Sequence, residues 1–218
     1  SFSHNIFIET GVALKVGVKL WVVLLVRFGL AIVSAVIINL VWQGGGEVAK
    51  YGVVTATQSV PDGWLEIILL GLQKATFGVL QLALIVIPLM VIIQFLKDRN
   101  YLQKFSEKLA PFTKVIGVQP NASMTLVAGL VIGLAYGAGV MIQAVQEDGV
   151  SKKDATLAFI FLVACHAVVE DTLIFVPLGI PILPLLLIRL ITAFVLTIIV
   201  AYIWRKSEQK KTKEVLTT

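Results

Sequence analysis

The chain has 218 residues, 58% of them hydrophobic and 14% charged, and its mean hydropathy is +0.94. A soluble domain holds a more even mix of apolar and polar residues, so this composition excludes a soluble globular protein and specifies an integral membrane protein. The formal charge of +5, from 18 Lys and Arg against 13 Asp and Glu, reports orientation and contact with anionic lipid on such a chain, and no nucleic-acid-binding module accompanies it.

A helix needs about 20 apolar residues to cross a bilayer. Residues 1–19 form an N-terminal flank that carries Lys15 and Lys19. The first span is expected at Leu20–Trp42, interrupted only by Arg27. Its apolar run exceeds the roughly 7–15 residues of a cleavable signal core, which argues for a retained anchor. A polar loop with G-G-G and S-V-P-D-G follows. Trp64–Leu96 is too long for one perpendicular crossing; Glu66, Gln73 and Lys74 mark an interfacial lead-in, with the span expected from about Thr76 and a kink at Pro88. Residues 20–96 thus read as a first helical pair.

Residues 97–119 form a basic linker in which Leu102, Phe105, Leu109 and Phe112 recur every three or four positions, the pattern of an amphipathic helix on the membrane surface. Residues 120–204 read as a second helical domain. Pro120, Asn121 and Ser123 start a helix for the third span, S-M-T-L-V-A-G-L-V-I-G-L-A-Y-G-A-G-V-M-I-Q-A-V. Asn121-Ala-Ser also fits a glycosylation sequon, for which capping is the better reading so close to an apolar run. The polar turn Q-E-D-G-V-S-K-K-D leads into Ala155–Pro177, and Ile182–Trp204 is the last apolar run. The basic tail, 205–218, is expected to be disordered.

Cytoplasmic flanks carry an excess of Lys and Arg. With the N-terminus inside, spans one and two bring the chain back at Lys97, as required. If both later apolar runs crossed, the basic tail would lie outside. The conflict disappears if Ala155–Pro177 enters and leaves on one face, broken near His166–Asp171 or Pro177–Pro181; the alternative is a tail that violates the tendency. Irregular backbone at membrane depth must be packed in protein or line a water-filled cavity. The expected fold is therefore an all-α integral membrane protein with about four full transmembrane helices plus a broken or re-entrant segment, and both termini cytoplasmic.

Ionisable groups at the bilayer centre cost at least about 2.5–3.5 kcal/mol each, so they need partners or a function. His166 and Glu170 are four apart and share a helical face, while Asp171 points about 100° away. They could form a proton relay, a cation site or the polar floor of a substrate cavity. Alternatively, Arg27 and Arg189 neutralise Glu170 and Asp171, with His166 as a neutral bridge. Metal ligation is open but weakly supported, since the only other histidine, His4, lies in the flank. Cys165 is the only cysteine, which excludes an internal disulfide, and as the helical neighbour of His166 it points away from it. With no nucleophile–base pair or metal motif, a non-enzymatic protein without a cofactor is expected. Gly129, Gly133, Gly137 and Gly139 make a small-residue ladder suited to close helix packing, or to backbone approach by a substrate beside Tyr136, Gln143 and Gln146.

The Gly-rich span, the G-V-S-K-K-D turn, the H-A-V-V-E-D-T core and the P-L-G-I-P break, from roughly Pro120 to Arg189, resemble the nucleoside-recognition or Gate domain family of bacterial membrane proteins. That family is similar to segments of the ferrous-iron permease, the spore maturation proteins and the concentrative nucleoside transporters. The resemblance implies substrate-handling helices in a bacterial cytoplasmic membrane, with Gly133, Gly137, His166, Glu170 and Asp171 at family-type positions. It also implies a homo-oligomer or a partner subunit from the same family. The expectation is a small multipass transporter or permease-like protein for a small polar solute, nucleoside or cation. The alternative is a non-transporting membrane scaffold or assembly subunit with a dry interior.

Overall fold

The computed structural model describes residues 5–41, 63–175 and 182–217. Among these, the regular elements are helices: α1 (Ile6–Lys15), α2 (Leu20–Val41), α3 (Trp64–Asp98), α4 (Tyr101–Thr113), α5 (Ser123–Val131), α6 (Ala138–Glu147), α7 (Lys152–Ala164), α8 (Val168–Phe175) and α9 (Ile182–Thr217). The Gly-rich loop after Trp42, His4 and the P-L-G-I-P break lie outside the described residues. Four stretches are long and apolar enough to cross a membrane: α2, α3, Lys152–Leu173 and α9 as far as Lys210. Large apolar side chains such as Leu25, Ile32, Leu72, Leu84 and Ile191 stand exposed on them, the surface that lipid would cover.

The helix α7 is the centre of the fold. Every residue from Asp154 to Ala164 is buried, as suits a helix that is apolar all round and packed on all sides by α2, α5 and α9. Helix α9 runs antiparallel to it: Lys153 Nζ lies 2.5 Å from Glu208 at one end, the rings of Phe161 and Phe194 meet edge to face at 5.2 Å midway, and Arg189 reaches His166 at the other. The start of α7 is fixed by the S-K-K-D turn. The Ser151 hydroxyl oxygen accepts the Asp154 backbone N–H at 3.0 Å, a side-chain cap for the first turn. The Asp154 carboxylate accepts the Ser151 O–H at 2.5 Å and the Gln119 N–H at 3.0 Å, which ties the linker to the same point.

The third span expected over 123–145 is not a single helix. It breaks between Val131 and Ala138 and folds back, so that Asn121 Nδ2 donates to the backbone carbonyls of Asp148 at 3.1 Å and Gly149 at 3.4 Å. At about 1.5 Å per residue, the nine residues of α5 and the ten of α6 each reach roughly half the bilayer core. Glycine permits the fold-back: Gly133 takes φ of +94°, a region that other L-residues avoid. Lys152–Leu173, where the sequence reading expected a re-entrant break, is long and apolar enough to cross and is interrupted at Cys165–Ala167, where Ala167 adopts a left-handed φ of 46°. The two interruptions are joined, because the Ala167 N–H donates to the Gly129 carbonyl at 3.0 Å.

Other elements depart from the sequence expectation. The flank contains α1, whose Val12 and Ala13 are core residues. Helix α3 runs unbroken through the expected lead-in with Pro88 inside it, and α9 continues through the tail that reads as disordered. Helix α4 forms as its spacing requires. Its Leu102 is buried and Leu109 packs on the core, while Phe105 and Phe112 remain exposed.

Gly129 is where α5 touches α7 most closely, since a Cβ there would lie 2.4 Å from Cδ1 of the fully buried Leu162. Gly129→Ala should therefore destabilise the protein by about 1–3 kcal/mol, the usual cost of overpacking. A Cβ at Gly139 meets nothing within 4 Å, and Gly139→Ala should be neutral or mildly stabilising. Thermal unfolding of the detergent-solubilised variants separates the two outcomes.

Candidate functional site

The polar groups of the interior meet where α7 ends. His166 follows Cys165 directly in the interruption, and Arg189 approaches from α9. Its Nη2 donates to the His166 carbonyl at 2.7 Å and lies 2.8 Å from Asp171 Oδ2. One guanidinium thus satisfies a carbonyl freed by the end of α7 and pairs with an acid in the first turn of α8.

From the opposite side, α1 brings Glu9. Its carboxylate forms an ion pair with Arg27 of α2, and its other oxygen lies 3.3 Å from His166 Nε2. These side chains are sealed from solvent: Arg27 is 0%, Glu9 2% and His166 3% exposed. The two cationic or protonatable partners flank the Glu9 carboxylate and favour its charged form against the cost of burial.

The imidazole geometry determines where a proton sits. His166 Nδ1 lies 2.8 Å from the Leu162 carbonyl oxygen, which can only accept, so Nδ1 carries a hydrogen. Nε2 then faces a carboxylate oxygen, and the contact is attractive only with a further proton between them. A protonated Nε2 would donate to Glu9 across this contact.

The sequence reading set Arg27 and Arg189 together against Glu170 and Asp171. In the structure Arg27 pairs with Glu9, and Arg189 with Asp171. Glu170 is half-buried and makes no ion pair or hydrogen bond among the described residues. Gly133 lies beside the interruption, where its Cβ would sit 3.0 Å from that of Ala167, and Gly137 N–H donates to the Gly133 carbonyl at 2.9 Å. Tyr136 is 60% exposed and Gln143 is exposed and bonded to Glu147, so both lie apart from the ionic groups. Cys165 is buried. No group of three or more His, Cys, Asp or Glu side chains gathers among the described residues in a metal-holding arrangement. Glu9 escapes a sequence reading that looks for charges only inside long apolar runs. One clue was available: Glu9 precedes Arg27 by 18 residues, the interval from Asp171 to Arg189.

Interrupted helices that converge on a buried ionic network define a multipass helical membrane protein with a polar interior. A family model described as Gate, nucleoside recognition, matches residues 79–203, more than half of the sequence, and the chain belongs to that family. The match includes His166, Asp171 and Arg189 and leaves Glu9 and Arg27 outside. The chain is also 62% identical over 206 residues to a Bacillus subtilis (strain 168) protein named "Uncharacterized membrane protein YvoD". That alignment covers 94% of this chain and 66% of the relative, so the chain spans just under two thirds of the relative's length. No solved structure matches.

Removing one partner of a buried ion pair leaves the other charge uncompensated and costs about 3–5 kcal/mol. Glu9→Gln, which removes the buried carboxylate paired with Arg27, should approach that loss. Lys153→Ala, which breaks a partly exposed pair, should cost no more than about 1 kcal/mol. The double variant Glu9→Gln with Arg27→Met should recover part of the first loss. Denaturation of the three variants in detergent checks the order.

Proposed function

We propose that the chain is a transport module without enzymatic activity, in which the Glu9–His166 pair is the proton-holding element of an occluded site for a small polar solute. The observation that carries this reading is the 3.3 Å approach of His166 Nε2 to the Glu9 carboxylate, at a buried point where backbone helices are interrupted. Interrupted helices near the midplane are a recurrent way of building solute and ion sites in transporters. The family's description makes a nucleoside the first solute to try.

In this reading α5–α6 is a re-entrant hairpin. Its tip meets the α7–α8 interruption through the Ala167–Gly129 hydrogen bond, and its open ends share a surface with the start of α7. The four long spans then return the basic end of α9 to the side of Lys15 and Lys19, the cytoplasmic one, as the positive-inside tendency requires. The solute reaches the site when the hairpin parts from α7. Loss of the shared proton leaves His166 Nε2 and Glu9 with facing lone pairs and repels the two groups, which couples proton release to opening. Lipid covers the outward faces, and the exposed length of α3, with only Leu89 and Ile93 of its residues buried, is where a second copy or a family partner would sit.

A second reading is favoured by the dryness of the interior: Cys165 is 0% exposed beside an equally sealed network, as in a scaffold whose ions staple helices together. Two measurements decide between the readings. Proteoliposomes loaded with a pH-sensitive dye should acidify or alkalinise when uridine is added outside, and Glu9→Asp, which keeps the charge, should retain more of the response than His166→Gln. A small charged thiol reagent applied to sealed vesicles should also modify Cys165 from one side. Absence of solute-driven proton movement, with Cys165 unreactive until denaturation, would establish the scaffold.

A further inference from the structure

A shift of 162 positions lays the N-terminal segment on the C-terminal one without a gap. His4 falls on His166, Glu9 on Asp171, Thr10 on Thr172, Gly17 on Gly179, Arg27 on Arg189 and Trp42 on Trp204. Two apolar helices would match one another by composition at any offset. A histidine, an acid, a threonine, a glycine, an arginine and a tryptophan in one register would not.

The backbone repeats with the same shift. Asn5 has φ of 52° and Ala167 φ of 46°, both left-handed positions that are uncommon for residues other than glycine. The helices that follow start at Ile6 and Val168, and the next ones at Leu20 and Ile182, again 162 residues apart. In each segment a short helix turns into a long one, and an acid on the first pairs with an arginine on the second: Glu9 with Arg27, and Asp171 with Arg189.

We infer that residues 4–42 are a second copy of the segment 166–204, set in the membrane upside down, and that the ionic network is one site to which each copy contributes an acid–arginine pair. Glu9 and Arg27, outside the family match, are thereby site residues of the same standing as Asp171 and Arg189. The inversion rests on the re-entrant placement of α5–α6 given above. From the end of α2 to the end of α9 the chain then crosses three times, through α3, α7–α8 and α9, so α2 and α9 point in opposite directions.

The sequence of the two turns agrees with this. Where the first copy has Lys15 and Lys19, the second has Pro177 and Pro181, so only one turn carries the charge that marks a cytoplasmic face. The copies are not in identical surroundings. The Glu9 side chain is 2% exposed and holds His166, whereas that of Asp171 is 21% exposed. Inverted copies in unequal states are the arrangement from which a site can open to either side in turn.

The test is sided chemical labelling of the full chain in sealed vesicles. Single cysteines are introduced at Lys19→Cys or Leu183→Cys, with Cys165→Ala to remove the native thiol, and an impermeant maleimide is applied to either face. Both positions are exposed at the start of their long helices. The inverted repeat predicts modification from opposite faces, with Lys19→Cys on the cytoplasmic one. A second pair, Asn39→Cys and Gln209→Cys near the far ends of the same helices, should also divide between the faces and serves if either first variant fails to accumulate. Modification of both members of a pair from one face overturns the proposal. The readout involves no solute flux, so the repeat stands or falls separately from transport activity.

Discussion

The interior of this protein depends on neutralising Arg27. A guanidinium with no exposed surface in a membrane-spanning helix is tolerated only with an anion in contact, and Glu9 supplies one. Satisfying Arg27 draws α1 out of the flank and into the core, which brings Val12 and Ala13 against the same cluster that α7 occupies. The second oxygen of Glu9 then holds His166, and His166 fixes the point at which α7 gives way to α8. One charge thus organises three otherwise separate parts of the chain.

Close backbone approach does the remaining work. Lipid tails give apolar helices little reason to associate, so contact depends on surface fit and on hydrogen bonds between interrupted segments. Gly129 admits Leu162, and its carbonyl takes the N–H of Ala167. The small-residue ladder is therefore both a packing surface and the acceptor of a backbone bond that ties α5 to the break between α7 and α8. Asp154 plays the corresponding part at the membrane edge, where one carboxylate serves a helix cap and the preceding linker together.

Much of this could be read from the sequence, for reasons that differ by element. Hydropathy located α2, α3 and α9 because a lipid-facing helix must be apolar over its whole length. The amphipathic spacing of α4 was legible because one side packs on the core through Leu102 and Leu109 while the other is exposed. Charge parity called for an element that does not cross and pointed to Ala155–Pro177, whereas the chain folds back between Val131 and Ala138. The interruption at 123–145 lies in a run as apolar as a true span, and only the glycines distinguish it. Arg189 and Asp171 could be singled out because both stand in apolar surroundings, whereas Glu9 sits in a short flank helix where an acid is unremarkable by composition. Its importance comes from tertiary contact alone. The tail reads as polar and soluble, but its attachment to α9 and the Lys153–Glu208 pair extend the helix beyond the apolar run.

That extension gives α9 the properties of a lever. The helix is continuous from Ile182 to Thr217. At about 1.5 Å per residue, its far end lies some 40 Å from Arg189. A small tilt at the ionic network is therefore multiplied into a displacement of several ångströms at the polar end, in the aqueous phase. The electrostatic state of a sealed membrane interior is in this way mechanically connected to a surface that a soluble molecule can touch.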